Sequence, residues 1–172
     1  MKNIAKSLVI AAIAIVSANS SFAQANATAS ASATIITPIT IVKDVDMNFG
    51  NVAVSATLAG TVVLAPAGTR TTGGAGGVTL PATVGTVAAA SFTVSCQANY
   101  TYAITLPGTQ TLTSGGNTMT VDNFSSNPSS TGTLSGTGSE VLTVGATLNV
   151  NANQSSGVYT NATGVPVTVN YN

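Results

Sequence analysis

From Ala25 to Ile41 the side chains alternate. The odd positions read Ala25, Ala27, Ala29, Ala31, Ala33, Ile35, Thr37, Ile39 and Ile41, and the even positions from Asn26 to Thr34 are all polar. A period of two over such a length puts dry and wet side chains on opposite faces of an extended chain. Pro38 has no N–H to give to a ladder, so this stretch reads as an edge or as the start of a strand. The same rhythm returns downstream. Phe92, Val94, Cys96 and Ala98 share one face; Tyr100, Tyr102, Ile104 and Leu106 share another. Leu142, Val144, Ala146, Leu148 and Val150 form the clearest series, and Val165, Val167, Val169 and Tyr171 alternate with Pro166, Thr168 and Asn170. Shorter extended candidates are Met47–Val54, Thr61–Ala65, Gly77–Leu80, Gln110–Thr113, Thr118–Phe124 and Gly157–Thr160. Turn clusters separate them at Thr72–Gly77, Ser114–Asn117 and Ser126–Gly138.

Many short strands, rich in β-branched residues and joined by Gly-rich turns, predict an all-β fold, a sandwich or barrel. One dry and one wet face per strand predicts antiparallel pairing. A membrane barrel fits poorly, because few aromatics, no Trp and short strands leave no aromatic girdle. No strict repeat supports a solenoid.

The first residues read as an export address. Lys2 and Lys6 precede the short apolar run Ser7–Val16, and Ser21-Phe22-Ala23 offers small residues to a signal peptidase. The run is about half of the roughly 20 residues that a spanning helix needs, and no Cys follows it to carry a lipid. The expected organisation is a signal peptide over 1–23, an Ala/Ser/Thr-rich extension over 24–34 and a β-sandwich domain over 35–172. The expected route is Sec-type export through the periplasm to the cell surface or beyond. No later segment is long and apolar enough to span a bilayer.

Charge narrows the function. Charged residues are 5% of the chain, against about 25% in ordinary soluble domains. Beyond Ala23 only Lys43, Arg70, Asp44, Asp46, Asp122 and Glu140 remain. Two cations cannot track a phosphate backbone, so nucleic acid is excluded as a partner. A surface of Thr, Ser, Asn and Gly gives little colloidal repulsion and suits a subunit that stacks on copies of itself.

Catalysis is expected to be absent, and no cofactor is implied. The chain has no histidine, the usual general base and the commonest metal ligand. Asp44 and Asp46 could form half of a calcium or glycosidase site, but they read better as a solvated bend. A calcium site needs six to eight oxygens, and no D-x-D-x-D-G run supplies them. Cys96 has no histidine to activate it and faces with Phe92 and Val94, so it reads as a small buried hydrophobe. The glycines from Gly73 to Gly77 lack the Gly-Lys-Ser/Thr of a phosphate cradle. Tyr100 and Tyr102 could stack on a sugar, but their alternation with Thr reads as core or near-core.

Three ordered motifs carry a resemblance. A-T-I-I-T-P-I-T-I (Ala33–Ile41) is followed by M-N-F-G-N-V (Met47–Val52); G-T-V-V-L-A-P-A-G-T-R spans Gly60–Arg70; and G-V-Y-T-N-A-T-G-V-P-V-T-V-N-Y-N closes the chain from Gly157 to Asn172. The set resembles the bacterial domain of unknown function 4402 family over essentially all of the chain after Ala23. More locally, the two ends resemble the spore coat U-type subunits of archaic chaperone–usher pili.

The pilin resemblance implies an incomplete immunoglobulin-like sandwich with an open groove beside its last strand. A periplasmic chaperone would fill that groove first, and the N-terminal extension of the next subunit would fill it later, the pair being threaded by an outer-membrane usher. It implies that Val165, Val167, Val169 and Tyr171 line the groove, that Tyr171 matches a chaperone-anchoring tyrosine, and that Gln24–Thr34 is the donor segment, offering Ala25, Ala27, Ala29, Ala31 and Ala33 with Ile35 beyond. Such donors usually offer bulkier side chains, each missing methylene forfeiting about 0.8 kcal/mol of burial. Either Ile35 and Ile36 enter the groove, or the groove is shallow, or the tail is a flexible leader. The pilin disulfide has no counterpart, since Cys96 is the one cysteine. The expected function is therefore a structural fibre or pilus subunit assembling by β-strand addition, the alternative being a monomeric β-sandwich adhesin or glycan-binding module.

Overall fold

The computed structural model describes residues 24–172; the expected signal peptide lies outside the described residues. The described chain belongs to two units, one ending at Ile35 and the other running from Ile36 to Asn172.

The second unit holds fourteen strands: β1 (Thr40–Val45), β2 (Asn48–Phe49), β3 (Ala53–Val54), β4 (Gly60–Leu64), β5 (Arg70–Gly73), β6 (Val78–Thr79), β7 (Val87–Ala88), β8 (Ala90–Ser95), β9 (Thr101–Thr105), β10 (Gln110–Ser114), β11 (Asn117–Asn127), β12 (Thr131–Thr133), β13 (Ser139–Val150) and β14 (Thr168–Tyr171). There is no helix among the described residues, and every strand pairing is antiparallel. This is the all-β antiparallel sandwich that the alternation predicts.

β13 organises the larger sheet. Its Ser139–Val144 half pairs with β8, its Ala146–Val150 half pairs with β4 on the same edge, and β11 takes the opposite edge. β1 continues outward from β8, β5 from β4 and β10 from β11. The smaller sheet runs β12–β9–β14. The even-numbered residues of β13 from Leu142 to Val150 are all buried. They serve two adjoining core clusters. In one, Leu142 and Val144 pack with Phe92, Val94, Cys96, Tyr102, Leu134 and Val169. In the other, Ala146, Leu148 and Val150 pack with Phe49, Val62, Leu64, Val78 and Val121. Each such aliphatic or aromatic side chain contributes about 1.5–3 kcal/mol by leaving water.

Three expectations need correction. The alternating run from Ala25 becomes strand only at Thr40; residues 24–35 carry no strand and are exposed. A period of two makes a chain competent to pair, but a strand exists only where a neighbour completes its hydrogen bonds. The last strand begins at Thr168 rather than Val165, because Pro166 offers no N–H to a ladder. Within the expected Ser126–Gly138 turn cluster, β11 runs on to Asn127 and β12 forms at Thr131–Thr133. Gly132 of β12 lies against the Tyr102 ring, where a Cβ would sit 2.2 Å from Cζ; the residue that makes the segment look like a loop is the one that lets the ring lie across it.

Gly145 stands where β13 changes partner from β8 to β4. A Cβ there would lie 2.2 Å from the Leu64 carbonyl oxygen and 2.7 Å from the Pro66 nitrogen, so the backbone of β4's exit passes only because position 145 has no side chain. Gly145→Ala should destabilise the domain by about 1–3 kcal/mol through overpacking, lowering the thermal midpoint by about 2–4 °C per kcal/mol. Calorimetry of the variant checks this; an unchanged midpoint contradicts it.

Candidate assembly cleft

β1 and β14 are edge strands. β1 pairs only with β8, and β14 pairs only with β9. No ladder joins them, although the two strands approach each other. Beside β1 and the segment leading into β14 opens a cleft of about 1400 Å³, larger than the roughly 300–1,000 Å³ of a small-molecule site.

The cleft is built from the alternation itself. Ile41 and Val45 of β1, with Met47, form one wall; Val165 and Val167 form the other; Phe92, Val121 and Leu148 stand at its base. The crossover from β13 to β14 closes the far side. It is pinned to β10 by paired backbone bonds between Thr113 and Thr160, of 2.9 and 3.1 Å. Tyr159 braces it by donating to the Ser155 carbonyl and accepting from Gln154 Nε2, both at 2.8 Å. Lys43 and Asp46 at the rim pair with each other at 2.6 Å, an exposed contact of little energetic weight.

Of the four residues expected to line the groove, two line this cleft. Val165 and Val167 line the cleft, Val169 is buried in the core beside it, and Tyr171 is half-buried at the end of the same row. The Tyr171 hydroxyl is occupied inside the domain: it donates to the Thr37 carbonyl and accepts the Gln97 backbone N–H at 2.9 Å. Partial burial pushes its ionisation upward. The donor candidates Ala25, Ala27, Ala29, Ala31, Ala33 and Ile35 lie in the other unit, exposed and without strand partners, Ile35 being 98% exposed.

Other singled-out residues separate. Asp44 and Asp46 form no common site and no shared bend: Asp44 sits at the irregularity in β1 and accepts from Thr93 Oγ1 at 2.8 Å, while Asp46 turns to Lys43. Among the described residues no group of His, Cys, Asp and Glu is placed to hold a metal. Cys96 is buried in the core, as its face predicts. Tyr102 is fully buried and donates to Glu140 Oε2 at 2.9 Å. Tyr100, expected near the core, is instead 44% exposed, packed edge-on against Tyr171 at the open margin of the smaller sheet with ring centroids 5.9 Å apart.

Arg70 is the residue that sequence reasoning missed. The β4–β5 hairpin, closed by the Ala65–Thr69 turn, delivers its guanidinium to three backbone carbonyls: Phe49 at 2.5 Å, Asn51 at 2.8 Å and Val84 at 3.3 Å. Asn48 Oδ1 accepts from the Gly50 N–H, and Asn51 reaches Thr83 and Val84. Two of the sequence motifs, M-N-F-G-N-V and the hairpin ending in Arg70, are thus halves of one knot that fixes Phe49 at the cleft. A single arginine after a tight turn, in a chain nearly free of charge, was the available signal.

A family model described as Domain of unknown function (DUF4402) matches residues 39–171. No curated protein and no solved structure matches the chain.

Burial, and then the bond and charge of Glu140, push the Tyr102 hydroxyl well above the usual tyrosine range. The unfolded chain ionises this group near pH 10, whereas the folded one retains the proton. Its contribution to stability is therefore complete below about pH 10 and is lost as pH rises beyond that value. Urea unfolding between about pH 9 and about pH 11 should show falling stability, with a shallower fall in Tyr102→Phe and a residue left by Tyr171; an identical slope in the variant contradicts the assignment.

Proposed function

This chain belongs to the DUF4402 family, and from that premise we propose that it is an exported, non-catalytic structural subunit of a surface fibre or pilus that assembles by β-strand addition. The observation that carries this reading is a pair of halves in one molecule: a cleft bordered by the β1 edge strand and by the segment leading into the β14 edge strand, and an uncharged alternating segment that forms no strand among the described residues. An unpaired edge is a template for another strand. Strand addition supplies affinity through main-chain bonds and specificity through alternate side chains. The occupant proposed for the cleft is the Gln24–Ile35 segment of a second copy, exposed after signal cleavage at Ala23. No charged residue lies between Gln24 and Val42, so the segment can leave water without stranding an ion.

A periplasmic chaperone would hold the open edge in transit, and an outer-membrane usher would exchange it for the next subunit. The near absence of charge favours the assembled state over a freely diffusing one.

Deleting Gln24–Thr34 from the exported chain should abolish high-mass, detergent-resistant assemblies while leaving the domain folded. Size-exclusion chromatography and gel mobility without boiling make the comparison. A truncated chain that assembles as well as the full one contradicts the proposed donor.

A further inference from the structure

We infer that the bond between Tyr171 and Thr37 is a stop that fixes how far, and in what register, the leader of a second copy enters the cleft. This rests on the assembly reading above. The tie and the cavity lie at opposite ends of the same two segments. At one end the Tyr171 hydroxyl ties the Thr37 carbonyl to the Gln97 N–H, with the Tyr100 ring set edge-on against it. Moving away from that tie, along the chain from Thr37 and back along it from Tyr171, the two segments reach Ile41 and Val45 on one side and Val167 and Val165 on the other, and it is these residues that line the open cavity. A strand growing along either edge from the cavity toward Thr37 and Tyr171 meets the tie and can go no further.

The leader needs such a stop. A strand displaced by one residue turns its dry face outward, and that slip is heavily penalised. A displacement by two is different. Ala25, Ala27, Ala29, Ala31 and Ala33 are identical, so a two-residue slip exchanges alanine for alanine and changes the filling of the cleft hardly at all. Side-chain size cannot choose among these registers until Ile35 reaches the rim. A fixed end can. The lengths agree: Ala25–Ala33 and Thr37–Val45 are equal spans, each about 27 Å at roughly 3.3 Å per residue.

The test uses the full chain from Gln24 in a Cys96→Ala background, with Val167→Cys paired in turn with Ala25→Cys, Ala27→Cys, Ala29→Cys, Ala31→Cys and Ala33→Cys. Assembled fibres are oxidised and the crosslinked dimers quantified. With Tyr171 intact, one leader position should give at least about fivefold more dimer than its neighbours two residues away; with Tyr171→Phe the yield should spread to within about twofold across adjacent positions. Tyr100→Phe, which keeps the tie, should preserve the single maximum. An unchanged maximum in Tyr171→Phe overturns the stop while leaving strand addition standing, and so does a folded Tyr171→Phe chain that no longer assembles, since a stop is not needed for entry. Failure of every leader position to crosslink in well-formed fibres overturns strand addition itself. Hydrogen exchange in the unmutated fibre needs no variant: the Gln97 amide should stay as protected as in the monomer, and a tenfold or greater loss of protection on assembly means that the tie opens and overturns the proposal.

Discussion

Backbone hydrogen bonding along sheet edges governs this molecule. Each strand residue presents an N–H and a C=O that must meet a partner or water. In the interior of the larger sheet β13 meets this demand on both sides, pairing with β8, β4 and β11. At the margins β1 and β14 each satisfy one side alone. Beside β1 and the approach to β14 lie apolar side chains of both core clusters, lining the cleft as Ile41, Phe92, Leu148 and Val167. Open backbone beside open apolar surface is the condition under which a further strand is stabilised twice, by main-chain pairing and by burial.

The scarcity of ions gives that condition its direction. A protein with many surface charges keeps copies apart; this one has one exposed ion pair, Lys43–Asp46, among its described residues, and commits its arginine to backbone carbonyls. Glu140 is engaged by Tyr102. Charge here serves the construction of the domain more than its repulsion from others. Thr143, Thr147 and Asn149 on the outward side of β13 are neutral and polar, so that face adds no charge repulsion.

How much of this was legible depended on the kind of signal. Leu142–Val150 and Phe92–Cys96 declared their strands and inward faces by strict alternation, and both faces hold. Val165–Tyr171 also kept its rhythm of burial, but Pro166 shortened the strand to its last residues, which a count of alternation misses. β5 and β12 were invisible because their residues, such as Thr131-Gly-Thr133, look like turn, and β7 because it is only Val87–Ala88; tertiary pairing and the Tyr102 ring, not propensity, make β12 a strand. The Ala25–Ala33 run shows the opposite case, a strand pattern without a strand, since nothing within the described chain pairs with it. For the site, the alternation of Val165–Tyr171 was legible, but only Val165 and Val167 of that row line the cleft. Arg70 and the Tyr171–Thr37 tie were not legible, because hydrogen bonds to backbone carbonyls across 14 to 134 positions leave no mark on local sequence.

The central claim is that the leader is a strand awaiting a sheet. Backbone amide exchange over Gln24–Ile35, compared between dispersed monomer and assembled material, addresses it directly. The account predicts fast exchange throughout this segment in the monomer and strong, every-other-residue protection after assembly, when one of its edges or both gain a ladder. Exchange that stays equally fast in well-assembled material would contradict it.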